Sequence, residues 1–216
     1  MRGAEFEARR IVVSLIALVF VILPRAEAAE LDGLGPSLKN GGYVMVFRHG
    51  ATDDSQKDIF SFKFDDMSAQ RQLNEKGRNT ARDIGAALAK LGVPIGDVYT
   101  SRLNRAVETG KLIGGRETSP TDALTDSSSG SASGMANPEG KNAKAGRAVR
   151  ELIEVPPKQG LNNLAITHKT NITDAFGKEY ADIKEGEALI YKVSASGPAV
   201  FVIRVQADQW VSLAGN

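Results

Sequence analysis

From about residue 40 onward the chain alternates short continuous apolar runs with longer stretches carrying an apolar residue at every third or fourth position. Asn40-Gly41-Gly42 signals a turn, and the run YVMVF (Tyr43–Phe47) after it predicts a buried central strand ending at Arg48-His49-Gly50. Residues 51–72 are polar with scattered aromatics (Phe60, Phe62, Phe64) and predict a long loop. Asn74 is a capping residue, and Ala81, Ile84, Leu88 and Leu91 make one helical stripe that Gly92 and Pro94 stop. DVYTS (Asp97–Ser101) predicts a short strand, with Ser101 as the cap of a helix that turns Leu103, Val107 and Ile113 inward and ends at Gly114-Gly115. Residues 117–146 are rich in Ser, Gly, Ala and Asp without a period, and predict a surface excursion. A helix resumes with Ala145, Val149, Leu152 and Ile153 and stops before Pro156-Pro157. NLAIT (Asn163–Thr167) predicts another buried strand, ending at His168. EALIYKV (187–193) and AVFVIRV (199–205), joined by a Ser-Gly-Pro turn, predict a hairpin on the sheet edge. Strands alternating with helices and an antiparallel finish predict an α/β fold: a three-layer αβα sandwich with a mostly parallel central sheet.

The N-terminus follows a different pattern. Arg9 and Arg10 precede the apolar run Ile11–Leu23, which is followed by Pro24 and the small-residue stretch around Ala26-Glu27-Ala28. A basic start, a short apolar core and an A-x-A site predict a secretory signal peptide over residues 1–28, hence a periplasmic or secreted protein. The run is shorter than the roughly 20 residues of a membrane-spanning helix. An uncleaved anchor is the alternative, and any membrane contact would come only through this segment. Cleavage after Ala28 leaves one domain, residues 29–216, that is formally neutral.

Composition narrows the chemistry. The 216 residues carry a formal charge of +1, which supports neither a nucleic-acid partner nor a strongly charged protein partner. The absence of cysteine excludes disulfides, zinc ribbons, Fe–S clusters and thiol catalysis. Histidine occurs only twice, as His49 and His168. Each directly follows a predicted buried strand, and ligands of open α/β sheets bind beyond the carboxyl ends of the strands. If the two strands are neighbours, both imidazoles reach one crevice. Arg48 precedes the first histidine, and Arg105 lies in the first turn of a helix that starts at the same edge. Two imidazoles and two guanidiniums make an anion-seeking pocket suited to phosphate oxygens, with no ligand cluster for a metal.

The residues resemble the histidine phosphatase superfamily, which includes the phosphoglycerate mutases. YVMVFRHGATD (43–53) resembles its opening strand and signature, QRQLNEKGRNTARDIGAAL (70–88) its L-x-x-x-G-x-x-x-A helix start, SRLNRAVET (101–109) its S-x-L-x-R-A-x-x-T element, and AITHKTNI (165–172) the strand bearing its second histidine. Lys169 stands where many members have glycine, Arg102 replaces a common proline, and no match to the family's acidic motif lies between Arg105 and His168. The resemblance implies a metal-independent, cofactor-free phosphatase acting on a small-molecule or otherwise phosphorylated substrate, a phosphomonoester or a phosphoramidate. His49 is then the nucleophile that becomes phosphohistidine. Arg48, Arg105 and His168 clamp the phosphoryl oxygens, and Thr52 adds a hydrogen bond to the phosphate. The proton donor stays open among Asp122, Asp126, Glu139 and Glu187. Two other readings remain: a phosphotransferase or mutase, and a catalytically weak phosphate-binding module on the same fold.

Overall fold

The computed structural model describes residues 31–60, 62–126 and 141–215. The predicted signal segment and Glu139 lie outside them. The core is a sheet of six strands in the order β3-β2-β4-β1-β5-β6. Here β1 is Tyr43–Arg48, β2 Ile95–Thr100, β3 Ser119–Pro120, β4 Asn162–Thr167, β5 Ala188–Ser194 and β6 Gly197–Val205. β3, β2, β4 and β1 run parallel, whereas β5 pairs antiparallel with both β1 and β6. The expected three-layer sandwich, the central strands and the closing hairpin are all present.

Alternation along β1 explains the layers, since neighbouring residues of a strand face opposite sides of its sheet. Met45 and Phe47 join one core with Leu164, Ile166 and Ile190, while Val44 and Val46 join the other with Ala165, Leu189 and Tyr191. The first face is covered by a helix at 31–39 (α1), α2 (Glu75–Lys90), α3 (Asn104–Gly114) and α6 (Ala207–Gly215). The second is covered by α4 (Lys141–Ile153) and α5 (Lys169–Phe176). α2 forms as its stripe predicts: Ala81, Ile84 and Leu88 are buried, the Asn74 side chain accepts from the Gly77 N–H, and Gly92 beyond the end takes a φ of 68°.

The structure corrects several expectations. Ser101 does not cap α3; Leu103 occupies the cap position with no side-chain bond, and the Ser101 hydroxyl instead accepts from the Leu103 N–H. Val107 is only half-buried, and the inward face of α3 is completed by Arg105, Ala106 and Thr109. The first part of the 117–146 excursion is built into the domain: β3 extends the sheet and Leu124 is fully buried. α4 starts at Lys141, before the first apolar residue of its stripe.

Three helices were not expected. α1 contains two glycines and a proline, yet Leu34 and Leu38 enter the core. α5 is short and rich in Thr and Asn, residues of modest helix propensity, and burial of its Ile172 and Ala175 holds it. α6 is anchored by Trp210, fully buried with its ring 6.0 Å from Phe47.

Candidate active site

β1 and β4 are neighbours in register, with Arg48 opposite Thr167, so the residues that follow them emerge side by side. The His49 N–H donates to the Thr167 carbonyl at 3.0 Å. The two imidazoles lie edge to face with centroids 5.1 Å apart, and each residue is 3% exposed.

Glycine and threonine at the motif positions make this junction possible. The turn after His49 packs directly against the first turn of α2. A Cβ on Gly77 would lie 2.1 Å from the Ala51 carbonyl oxygen, and one on Gly50 would lie 2.9 Å from the Gly77 carbonyl oxygen. The Gly50 N–H donates to the Thr109 hydroxyl at 3.0 Å, and that hydroxyl donates to the Arg105 carbonyl at 2.7 Å. The Arg-His-Gly turn and the first turns of α3 are thereby fixed to each other. Asn74 adds a bond from its side-chain amide to the Thr52 carbonyl at 2.9 Å.

The two histidines are held through opposite ring nitrogens. His49 Nδ1 lies 2.7 Å from the Gly50 carbonyl, which can only accept, so Nδ1 carries the proton and Nε2 keeps its lone pair. His168 Nε2 lies 2.8 Å from the Ser101 hydroxyl. That hydroxyl also accepts from the Leu103 N–H, which leaves its second lone pair and its hydrogen both open to Nε2. Nδ1 of His168 is buried without a hydrogen-bond partner. One ring therefore offers a nucleophilic lone pair and the other a buried Nδ1 with no partner.

Both imidazoles have a pKa well below the ordinary histidine value. Burial is the main cause for each. For His49 the next contributions are the neighbouring His168 and Arg105; for His168 they are Arg105, Arg71 and Arg48. Burial likewise lowers the pKa of Arg48 and of Arg105, against the opposing pull of carboxylates. A group of cations shut away from water in this way favours an anionic ligand.

Arg105 is 1% exposed and lies between two carboxylates, donating to Asp58 at 2.8 Å and pairing with Asp126 at 3.6 Å. Arg48 donates to the Ile183 carbonyl at 2.7 Å and pairs with Glu185. The Nε atoms of Arg48, Arg71 and Arg105 are buried and unpartnered, as is His168 Nδ1. Unpaired donors in a dry setting are costly, and a bound anion can satisfy them. Arg48, His49, Arg105 and His168 thus come together as the sequence predicts. Thr52 is buried, and it pairs with Leu73 as an isolated bridge.

Arg71 is the member that sequence reasoning missed. It sits inside the 70–88 motif, but its charge acts on Arg48, Arg105 and His168. Asp58 was missed too: its carboxylate accepts from Arg105 and from the Arg71 N–H at 2.9 Å. Both lie in an apparently featureless loop, where only the fold reveals what they reach.

None of the candidate proton donors among the described residues is disengaged. Asp122 is exposed and paired with Arg102. Asp126 accepts from Thr170 at 3.0 Å and faces Arg105. Glu187 is buried and held by Arg204 and by the Lys184 N–H. No cluster of three or more His, Cys, Asp or Glu that could hold a metal occurs among the described residues.

An α/β sandwich with two histidines and several arginines gathered at the ends of its parallel strands defines a phosphoryl-binding class of protein. The chain belongs to the histidine phosphatase superfamily (branch 1), whose profile matches residues 44–172. It is 26% identical over 176 residues to a 2,3-bisphosphoglycerate-dependent phosphoglycerate mutase of Parvibaculum lavamentivorans, covering 77% of this chain and 80% of the relative. A mutase of the same description from Rhizobium etli is 33% identical over 129 residues, 55% of this chain and 58% of that protein. Among solved structures, the protein histidine phosphatase SixA complexed with tungstate superposes with a TM-score of 0.50 at 18% identity, covering 77% of this chain and 97% of that one. A phosphoserine phosphatase of Entamoeba histolytica in complex with 3-phosphoglyceric acid gives a TM-score of 0.52 at 14% identity, over 78% and 98% of the two chains. These structures share the fold.

Proposed function

We propose that the protein is an exported, metal-independent phosphatase that hydrolyses a phosphomonoester or phosphoramidate through a phosphohistidine on His49. The observation that carries this reading is the lone pair on His49 Nε2 beside the buried, unpartnered Nδ1 of His168, which donates to the phosphoryl group when the Ser101 hydroxyl donates to Nε2. His49 Nε2 attacks phosphorus and forms the N–P bond, while the bond to the leaving group breaks with its electron pair. Water then attacks the phosphohistidine, restoring the imidazole and releasing phosphate. Splitting the displacement in two is the use of a covalent nucleophile. Arg48, Arg105 and His168 stabilise the charge on the transferring oxygens, the main task of the protein in phosphoryl transfer. Arg71 joins them, and Thr52 serves the same anion. Asp58, Asp122, Asp126, Glu185 and Glu187 are each engaged with a cation, so leaving groups that depart without a strong proton donor are favoured.

The test is phosphate release from an aryl phosphate, with and without EDTA. Wild type should turn over equally in both, and His49→Ala should be inactive. Rapid quenching without acid should trap phosphate on His49. Label on His168, or activity lost in EDTA, would mean that the roles are reversed or that a metal is required. The names of the curated relatives favour a second reading, a phosphoglycerate mutase. Interconversion of 2- and 3-phosphoglycerate faster than phosphate release would establish it in place of the hydrolase.

A further inference from the structure

The loop between β1 and α2 carries an apolar ridge that the chemistry above does not use. Phe60, Phe62 and Phe64 stack in series, with ring centroids 5.6 Å and 6.2 Å apart. Phe60 is 59% exposed and its neighbour Ile59 is 55% exposed. Aromatic surface shown to water in this way marks an interaction site more often than chance. Polar bonds hold the ridge in place. The Ile59 N–H donates to the Ala69 carbonyl, and the buried Gln70 amide donates to the carbonyls of Lys63 and Phe64.

Both ends of the ridge are tied to the phosphate pocket. Asp58, two residues before Phe60, accepts from Arg105 at 2.8 Å. At the other end the Arg102 guanidinium lies 3.9 Å from the centre of the Phe64 ring. Arg102 follows Ser101, whose hydroxyl bonds His168. The aromatic row is thus suspended between segments that bond Arg105 at one end and His168 at the other.

We infer that this ridge binds the organic part of the substrate, and that the preferred substrates are phosphorylated small molecules with an aromatic or extended apolar body. This rests on the phosphatase reading of the pocket. A phosphoryl group held at His49 directs its own leaving group toward the segment that these tethers hold beside Arg105. A flat apolar body laid on Phe60 and Phe62 covers surface that otherwise faces water, and ring-on-ring contact adds to that gain. Arg102 acts on the ridge by holding Phe64, and its ion pair with Asp122 at 3.1 Å fixes it in turn.

Phenyl phosphate and 1-naphthyl phosphate have leaving groups of similar acidity but unequal apolar area, and acetyl phosphate offers almost none. Wild type should favour the naphthyl over the phenyl ester several-fold in kcat/KM. Phe60→Ser should raise KM for the naphthyl ester by about tenfold, as expected for the loss of one aromatic contact, and leave acetyl phosphate hydrolysis unchanged. Phe60→Trp should keep the preference. The inference is overturned if Phe60→Ser leaves the naphthyl-to-phenyl ratio unchanged while acetyl phosphate is still hydrolysed. If wild type releases phosphate from none of the three, the phosphatase reading fails, and calorimetry then decides on the ridge alone. Binding of naphthyl phosphate tighter than phenyl phosphate in wild type, but not in Phe60→Ser, upholds it; equal affinity in both overturns it.

Discussion

His49 and His168 are buried as neutral rings, and this ties both stability and anion binding to pH. Their pKa values lie well below the ordinary histidine value of 6.5. In the unfolded chain each takes up a proton near that ordinary value, so below it the unfolded state binds more protons. Stability contributed by the neutral rings is therefore complete above about pH 6.5 and is lost as pH falls from there toward the folded pKa values. Each ring accounts for at most about 1.4 kcal/mol per pH unit in that window. Denaturation between pH 7.5 and 5 should show a fall in stability that His168→Asn makes shallower; an unchanged slope would show that His168 is not buried neutral. Binding of phosphate or tungstate should move both rings upward in an NMR titration, because an anion favours the protonated form. Ser101→Ala removes the hydroxyl that holds His168 Nε2. It should cost about tenfold in kcat, roughly one hydrogen bond. His168→Ala removes the donor itself and should cost on the order of 100- to 1,000-fold. That variant should still form a little phosphoenzyme, which His49→Ala cannot.

At the scale of elements, the junction between the Arg-His-Gly turn and α2 is where sequence motif and packing coincide. A methyl group on Gly77 would sit 2.1 Å from the Ala51 carbonyl oxygen, a backbone atom that cannot swing aside. Gly77→Ala should therefore lower stability by roughly 1–3 kcal/mol, as overpacking does, and reduce activity with it. Gly33→Ala, with open space around it, is the matched control in a urea titration. The central strands and α2 were legible because they are strongly periodic and end in clear stop signals. So were Arg48, His49, Arg105 and His168, because strand ends and a helix start converge at one edge of a parallel sheet. α1 and α5 were not, because their composition argues against helix and only burial against the sheet stabilises them. Arg71 and Asp58 were hidden for a different reason. Each reaches the pocket from a loop, and no periodicity reports where a loop side chain arrives.

For the molecule as a whole, the packing of α1 makes the export proposal specific. Leu34 and Leu38 are 2% and 0% exposed and belong to the core beneath α2, so the folded body is already under way a few residues after Ala28. Removal of residues 1–28 would spare those contacts and take away the apolar run Ile11–Leu23. Among the described residues no helix is long and apolar enough to cross a membrane. Retention at a membrane by a spanning helix in this chain therefore turns on whether the N-terminal run is cleaved. Without cysteine, the domain needs no oxidising compartment to form its core. A chain beginning at Ala29 should thus fold and melt at the same temperature with or without reductant. One beginning at Gly35 loses Leu34 and should be less stable by roughly 2–5 kcal/mol, the cost of deleting a buried leucine. Mass spectrometry of protein isolated from its native cell should find an N-terminus near Ala29 in the extracytoplasmic fraction. An intact Met1 terminus in the cytosol would refute export, and an intact N-terminus in the membrane fraction would assign the apolar run as an anchor.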